Sequence, residues 1–331
     1  MFLEHDLEEA KVRQFLERHG AKKAAIQLPD GIRPRQIEVA NVFERSGVQP
    51  VFMAGSCFGA CDLADRHAKQ LGCDVLVHYG HSDMGLPTCI PTLYVEARDR
   101  TDPSKAVGKA VSAINFKRVG LVTTVQHVGH LEKVGELLRS RGLEPVVGGL
   151  GPRARYPGQL LGCDFGCAAS IASRVDGFIY IGTGNFHPLG AALATGKEVL
   201  AVNPVAGAKP ISHDLDGFIR RRKAAITAAC AAERVGVVAS SKPGQSRLPL
   251  AEDILHSLRK AGREASLLVV DDVVPENLAD FRLGAAVCTA CPRIATDDAG
   301  RFEFPVITPF EARVMLGLEK LEPYRLDEFS R

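Results

Sequence analysis

The chain repeats one supersecondary unit three times, and that repeat constrains its fold more than any other feature. Short apolar runs open similar stretches at Ala24 ("AAIQLPDG"), Val119 ("VGLVTTVQ") and Val235 ("VGVVASSKPGQ"). Each leads through a helix-like stretch to a basic residue close to a glycine. These glycines are Gly47, Gly142 and Gly262, at intervals of 23, 23 and 27 residues from the strand starts. A glycine just past a helix supplies the left-handed conformation that other residues resist. Second strands follow at "PVFMA", "PVVGG" and "ASLLVV", third ones at "CDVLVHYG", "DGFIYIGTG" and "GAAVCTAC", fourth ones at "PTLYVEA", "KEVLAVNP" and "FEFPVIT". Nearly continuous apolar runs, rather than alternating ones, suit parallel strands covered on both faces. Short strand–helix–strand connections imply right-handed crossovers. The expectation is an α/β chain of three similar domains, over 1–105, 106–214 and 215–331. Each is a small, mostly parallel sheet with flanking helices, and the three form a pseudo-threefold arrangement with a site where they meet. The joins rest on the turn-rich "RDRTDPSK" and "KPISHDLDG".

The 331 residues suit two or three compact domains. A net charge of +2 gives no sign of direct nucleic-acid binding. The densest basic run, "RRRK" from Arg220 to Lys223, reads as the solvated face of a helix. The opening "MFLEHDLEEAKVRQFLERHG" reads as an acidic amphipathic helix with Leu3, Leu7, Val12, Phe15 and Leu16 at helical spacing. It lacks the basic and apolar regions of a signal peptide. No apolar run approaches the roughly eighteen residues of a membrane span. The expected place is the cytoplasm, where nine cysteines argue for metal or catalysis rather than a disulfide framework.

Six of those cysteines fall in pairs at strand ends, where open α/β sheets collect their reactive residues. Cys57 and Cys61 follow the second strand of the first domain. Cys163 and Cys167 lie in a longer loop after the second strand of the second, and Cys288 and Cys291 end the third strand of the third. Cys73, Cys89 and Cys230 read as small buried hydrophobes. Thiolates from three domains can hold zinc or an iron–sulfur cluster, with buried, inert thiols as the alternative. Structural zinc wants four closed ligands, usually from CxxC pairs, and among the three pairs only Cys288–Cys291 has that spacing. A four-iron cubane on three cysteines keeps one iron open to substrate, which matches one ligand per domain better than zinc does.

The stretches "GACDLAD" (59–65), "VHYGHS" (77–82), "YPGQLLGCD" (156–164), "IGTGNFHP" (181–188), "SSKPGQ" (240–245) and "TACPRIATDD" (289–298) resemble the archaeal diphthamide-synthesis enzymes, in the same order and over nearly the whole chain. The resemblance implies three domains around one [4Fe–4S] cluster held by Cys61, Cys163 and Cys291. It also implies reductive cleavage of S-adenosylmethionine at its Cγ–S bond. The resulting 3-amino-3-carboxypropyl radical would add to C2 of a histidine imidazole on translation elongation factor 2. An electron donor is a further expected partner, and because all three ligand positions carry cysteine the expected assembly is a self-sufficient homodimer. A quinolinate-synthase-like lyase and a non-catalytic, cluster-holding subunit are the alternatives.

Candidate cofactor contacts follow from residue chemistry. Gly182, Gly184, Asn185 and His187 form a glycine-rich strand end that can approach a nucleoside or carboxylate closely. Ser240, Lys242 and Gln245 end the first strand of the third domain. Arg293, two residues after Cys291, suits bidentate pairing with the methionine carboxylate, and Asp297 and Asp298 read either as caps of a turn or as partners of Arg293. His78 and His81 flank Gly80 at a strand end, where a satisfied turn histidine is the commoner reading of either; His81 is the candidate for orienting substrate.

Overall fold

A computed structural model describes residues 5–329. The first sheet has strands β1 (Lys23–Gln27), β2 (Gln49–Met53), β3 (Val75–Tyr79) and β4 (Thr92–Val95), ordered β2-β1-β3-β4. The second has β5 (Arg118–Thr123), β6 (Glu144–Val147), β7 (Gly177–Ile181), β8 (Glu198–Asn203) and β9 (Gly207–Pro210), ordered β6-β5-β7-β8-β9. The third has β10 (Arg234–Ser240), β11 (Glu264–Val270), β12 (Ala285–Cys288) and β13 (Val306–Ile307), ordered β11-β10-β12-β13. The first four strands of each sheet are parallel; β9, which the apolar pattern did not announce, pairs antiparallel with β8 at an edge. The chain is thus α/β with three mostly parallel sheets, one within each of the spans 1–105, 106–214 and 215–331, and the helix Ser212–Cys230 runs through the 214–215 join.

The shared strand order follows from the repeat. The helices Gln36–Arg45, Leu131–Ser140 and Leu248–Lys260 each bury one stripe: Val39, Val42 and Phe43; Leu131, Val134 and Leu138; Ala251, Ile254 and Leu258. Gly47, Gly142 and Gly262 follow with φ of +69°, +79° and +80° and open space where a Cβ would stand. Backbone conformation rather than crowding therefore demands glycine there. The central strands β3, β7 and β12 are buried along their whole length, which explains their unbroken apolar sequence. Strand order reverses between β1 and β3, between β5 and β7, and between β10 and β12, so each sheet opens a crevice at its carboxyl edge.

Three local expectations change. The first helix is Glu9–Arg18, with Val12 and Leu16 buried; Leu7 is buried ahead of it, and Leu3 lies outside the described residues. Cys73 is buried, but Cys89 and Cys230 are exposed. The helix Ser212–Cys230 buries Phe218, Arg222, Ile226 and Ala229, and Cys230 falls off that stripe; Cys89 sits in the exposed loop between β3 and β4. The "RRRK" run is not wholly solvated either. Arg222 is 3% exposed, its Nε and Nη2 donating to Glu311 at 2.8 and 2.6 Å and Nη2 also to the Val306 carbonyl at 2.9 Å. Its Nη1 donates to the Ala295 carbonyl in the helix Pro292–Thr296, directly behind Cys291. Glu311 also caps its own helix, accepting from the Thr308 N–H while Thr308 Oγ1 accepts from the Glu311 N–H. Among the described residues no helix is long and apolar enough to cross a membrane.

Candidate metal centre

Loops at the carboxyl edges of the three sheets enclose one cavity of about 250 Å³, and one cysteine from each sheet lines it. Cys61 comes from the loop after β2, Cys163 from the loop after β6, and Cys291 from the turn that starts the helix Pro292–Thr296 after β12. The other member of each pair, Cys57, Cys167 or Cys288, is buried and does not line the cavity. Cys167 packs with Phe165 and Phe186, and Cys288 is the last residue of β12 and faces the core.

Hydrogen bonds across the sheets hold these loops in place. Gln159, in the stretch before Cys163, donates to Ser82 Oγ at 2.8 Å and accepts from the N–H groups of Arg155 and Tyr156. Gln126 donates to the Gly80 carbonyl at 2.8 Å. Lys242 bridges the third and first sheets: its ammonium pairs with Asp62 at 2.8 Å and with Asp272, and donates to Ser56 Oγ at 2.6 Å. Gly244 then lies directly on the Cys61 backbone, where no side chain fits.

Burial pushes the thiols up: Cys163 and Cys291 to about 12, and Cys61 in the same direction. Two donors oppose this, Gln245 Nε2 to Cys61 Sγ and Arg153 Nη1 to Cys163 Sγ, each at 3.5 Å. The trio is therefore protonated at neutral pH until a metal displaces the protons. Its spacing bears on which metal. A single tetrahedral ion with bonds of about 2.3 Å draws its sulfurs to ~3.8 Å apart. Among the described residues the three cavity sulfurs do not all come within 4.8 Å of one another; only Cys57, His78 and His81 do. A cubane, whose irons are themselves separated, fits wider thiolates than one ion does. In the Cys57 group the two imidazoles are already each other's partners. Gln27 Nε2 donates to the Ser56 and Asp62 carbonyls, so its Oε1 accepts from His78 Nδ1 at 2.9 Å. His78 Nε2 must then accept from His81 Nδ1, at 2.9 Å. His81, which lines the cavity, thus carries its proton on Nδ1 and a lone pair on Nε2, and burial drives it down to about 4.

The remaining candidate contacts divide. Arg293 and His187 line the cavity. The Arg293 guanidinium lies 5.1 Å from the Phe186 ring centre and pairs with Asp297 at 2.9 Å; His187 stacks on Tyr180 and is driven to about 4, first by burial and then by Arg293. Gly184 and Asn185 line an adjoining polar cleft with Arg221, while Gly182 lines neither space and is packed against the Tyr180 ring. Ser240, Lys242 and Gln245 are not in the cavity wall. The Ser240 hydroxyl donates to the Asp271 carbonyl at 3.1 Å, two carboxylates claim Lys242, and Gln245 meets the Cys61 sulfur from behind. Arg153 and Gln159 were not among the expected site residues. Gln159 is inside "YPGQLLGCD", where only its side-chain contacts reveal its role.

Comparison with known proteins places these observations. The family model for diphthamide synthesis protein matches residues 28–325. A 2-(3-amino-3-carboxypropyl)histidine synthase of Pyrococcus horikoshii is 41% identical over 328 residues, covering 98% of this chain and 94% of that one. Subunit 1 of the Gallus gallus synthase is 30% identical over 322 residues, covering 94% and 77%. A crystal structure of Dph2 from Pyrococcus horikoshii with a 4Fe-4S cluster superposes with a TM-score of 0.90 at 40% identity, covering 98% of this chain and 94% of that one.

Proposed function

The chain belongs to the diphthamide synthesis protein family, and on that premise we propose that Cys61, Cys163 and Cys291 hold a [4Fe–4S] cluster with one iron open towards the cavity. The observation that carries this is the meeting of one cysteine from each of three sheets in one cavity, with the second cysteine of each pair turned away. The enzyme catalyses the first step of diphthamide biosynthesis, transfer of a 3-amino-3-carboxypropyl group from S-adenosylmethionine to a histidine. Bound at these cysteines, a reduced cluster supplies the electron that splits the Cγ–S bond of S-adenosylmethionine.

The protein's own groups do the rest. Arg293, at the cavity wall beside Cys291 and with its guanidinium 5.1 Å from the Phe186 ring centre, offers that guanidinium to the methionine carboxylate. His187 and His81, neutral near pH 7, present ring nitrogens without adding positive charge next to a sulfonium. Val125, Leu160, Leu161, Met84 and Phe58 give the cavity an apolar lining that excludes water from a carbon radical. The protein substrate is elongation factor 2, whose histidine imidazole receives the transferred group. A homodimer in the cytoplasm, served by an external electron donor, completes the reading.

Anaerobically reconstituted protein, given dithionite and S-adenosylmethionine, should release methylthioadenosine, detected by mass spectrometry. Release of 5′-deoxyadenosine instead would show cleavage of the wrong carbon–sulfur bond and overturn the reading.

A further inference from the structure

Among the described residues, most cations close to the cysteine loops are neutralised by carboxylates. Lys242 pairs with Asp62 and Asp272, Arg247 with Asp327, and Arg293 with Asp297. Arg153 is different: among the described residues it pairs with no carboxylate side chain, and its guanidinium is aimed at sulfur. Nη1 donates to Cys163 Sγ at 3.5 Å, while Nη2 donates to the Gly244 carbonyl at 2.8 Å. The backbone N–H of Arg153 donates to Asp164 at 2.7 Å, so the loop that carries it is tied to the residue after Cys163.

The C-terminal segment holds the charge in place. The Phe329 ring lies 4.6 Å from the Arg153 guanidinium and 4.1 Å from that of Arg247. The Phe329 N–H donates to the Cys163 carbonyl at 2.9 Å, and Glu328 accepts from the Phe165 N–H at 3.0 Å. Arg247, paired with Asp327, donates to the carbonyls of Thr289 and Ala290, the two residues before Cys291. Residues 327–329 therefore strap the Cys163 and Cys291 loops together and seat Arg153 against the Cys163 sulfur.

We propose that Arg153 is a positioning residue that raises the reduction potential of the cluster through a fixed positive charge and an N–H···S bond at Cys163, with Phe329 as its clamp. The inference rests on the cysteine assignment above. Each electron added to a thiolate-bound cluster makes it more negative, and a cation held in a partly buried wall favours the reduced state over the oxidised one. A donor on a ligand sulfur acts in the same direction. Gln245 puts a neutral donor on Cys61; Arg153 adds a full charge to the same device.

The test is a redox titration of reconstituted protein, read by the electron paramagnetic resonance of the reduced cluster, for wild type, Arg153→Gln, Arg153→Lys and Phe329→Leu. Arg153→Gln should cut the reduced-to-oxidised ratio about tenfold at a fixed potential, a fall of about 59 mV for one electron. Arg153→Lys, which keeps the charge, should recover most of that, and Phe329→Leu should shift partway. Unchanged midpoints in cluster-loaded Arg153→Gln, or equal shifts in the Gln and Lys variants, would overturn the proposal. If Arg153→Gln takes up no iron, Phe329→Leu against Arg153→Lys decides: a midpoint equal to wild type in both overturns it, and a fall larger in Phe329→Leu than in Arg153→Lys supports it. Failure of the cysteine assignment shows differently, as iron and sulfide retained in Cys163→Ala.

Discussion

Gly244 lies so close to Cys61 that a Cβ built on it would stand 2.3 Å from the Cys61 Cα and 2.5 Å from its Cβ. The obstacle is backbone, which cannot swing aside as a flexible side chain would. Gly244→Ala must therefore move either the loop after β10 or the loop that carries Cys61. Overpacking of this kind costs about 1–3 kcal/mol, too little to unfold most domains but enough to misplace a ligand. The expected outcome is a folded protein, by circular dichroism, that takes up markedly less iron than wild type. Full iron uptake would show that the contact does not set the Cys61 position.

The two cysteines of each pair should separate cleanly. Cys61→Ala, Cys163→Ala and Cys291→Ala each remove a thiol from the cavity wall and should abolish the visible absorption of the reconstituted cluster. Cys57→Ala, Cys167→Ala and Cys288→Ala remove buried thiols outside that wall and should retain it, at some loss of thermal stability. Iron and sulfide analysis on all six variants checks this. Loss of the cluster in Cys57→Ala alone would point instead to the neighbouring Cys57, His78 and His81 group as a metal site.

Much of this arrangement is legible in the sequence because it is local. The strand, helix and glycine of each repeat recur within about thirty residues, and a cysteine pair marks each carboxyl edge. Orientation is what the pattern cannot carry. Arg222 sits in a run of four basic residues and looks solvated, yet Glu311, 89 positions on, draws it into the core. Lys242 and Gln245 do end a strand beside the site, but which way each points depends on Asp62, Asp272 and Cys61, all from other segments. Arg153 is ten residues from Cys163, and the loop must fold back, under a ring from the far end of the chain, before the two meet.

The pair of Arg222 with Glu311 should be the most costly single ion pair to break. Both side chains are almost fully buried, at 3% and 0% exposure, and Glu311 also serves Thr308 and Tyr324. Removing one partner leaves the other charge buried and unpaired, a loss of about 3–5 kcal/mol. Because Arg222 also bonds the Ala295 carbonyl, Arg222→Ala should loosen the helix that begins just after Cys291. Urea unfolding gives the stability change, and iron content of the folded fraction reports the second effect. A loss under about 1 kcal/mol would mean that the site relaxes or takes up water.

Acid should destabilise the protein well before Asp102 and Asp176 titrate. Burial holds His78, His81, His127 and His187 below their ordinary value of 6.5, His78 well below it and His81 and His187 near 4. Below about pH 6.5 the unfolded chain gains protons at these four positions while the folded chain does not. Unfolding then takes up protons, so stability rises with pH across that window and falls as pH is lowered. The stabilisation is fully present above 6.5 and is lost progressively towards pH 4, where the folded imidazoles themselves begin to charge. The window lies above the titration of Asp102 and Asp176, which their cationic partners hold low. Urea midpoints measured from pH 7.5 to 4.5 should fall steadily below about 6.5, and His78→Asn should flatten part of that slope. A midpoint constant down to pH 5 would mean that these imidazoles charge without opposition in the folded state, and that the burial seen for them does not exclude water.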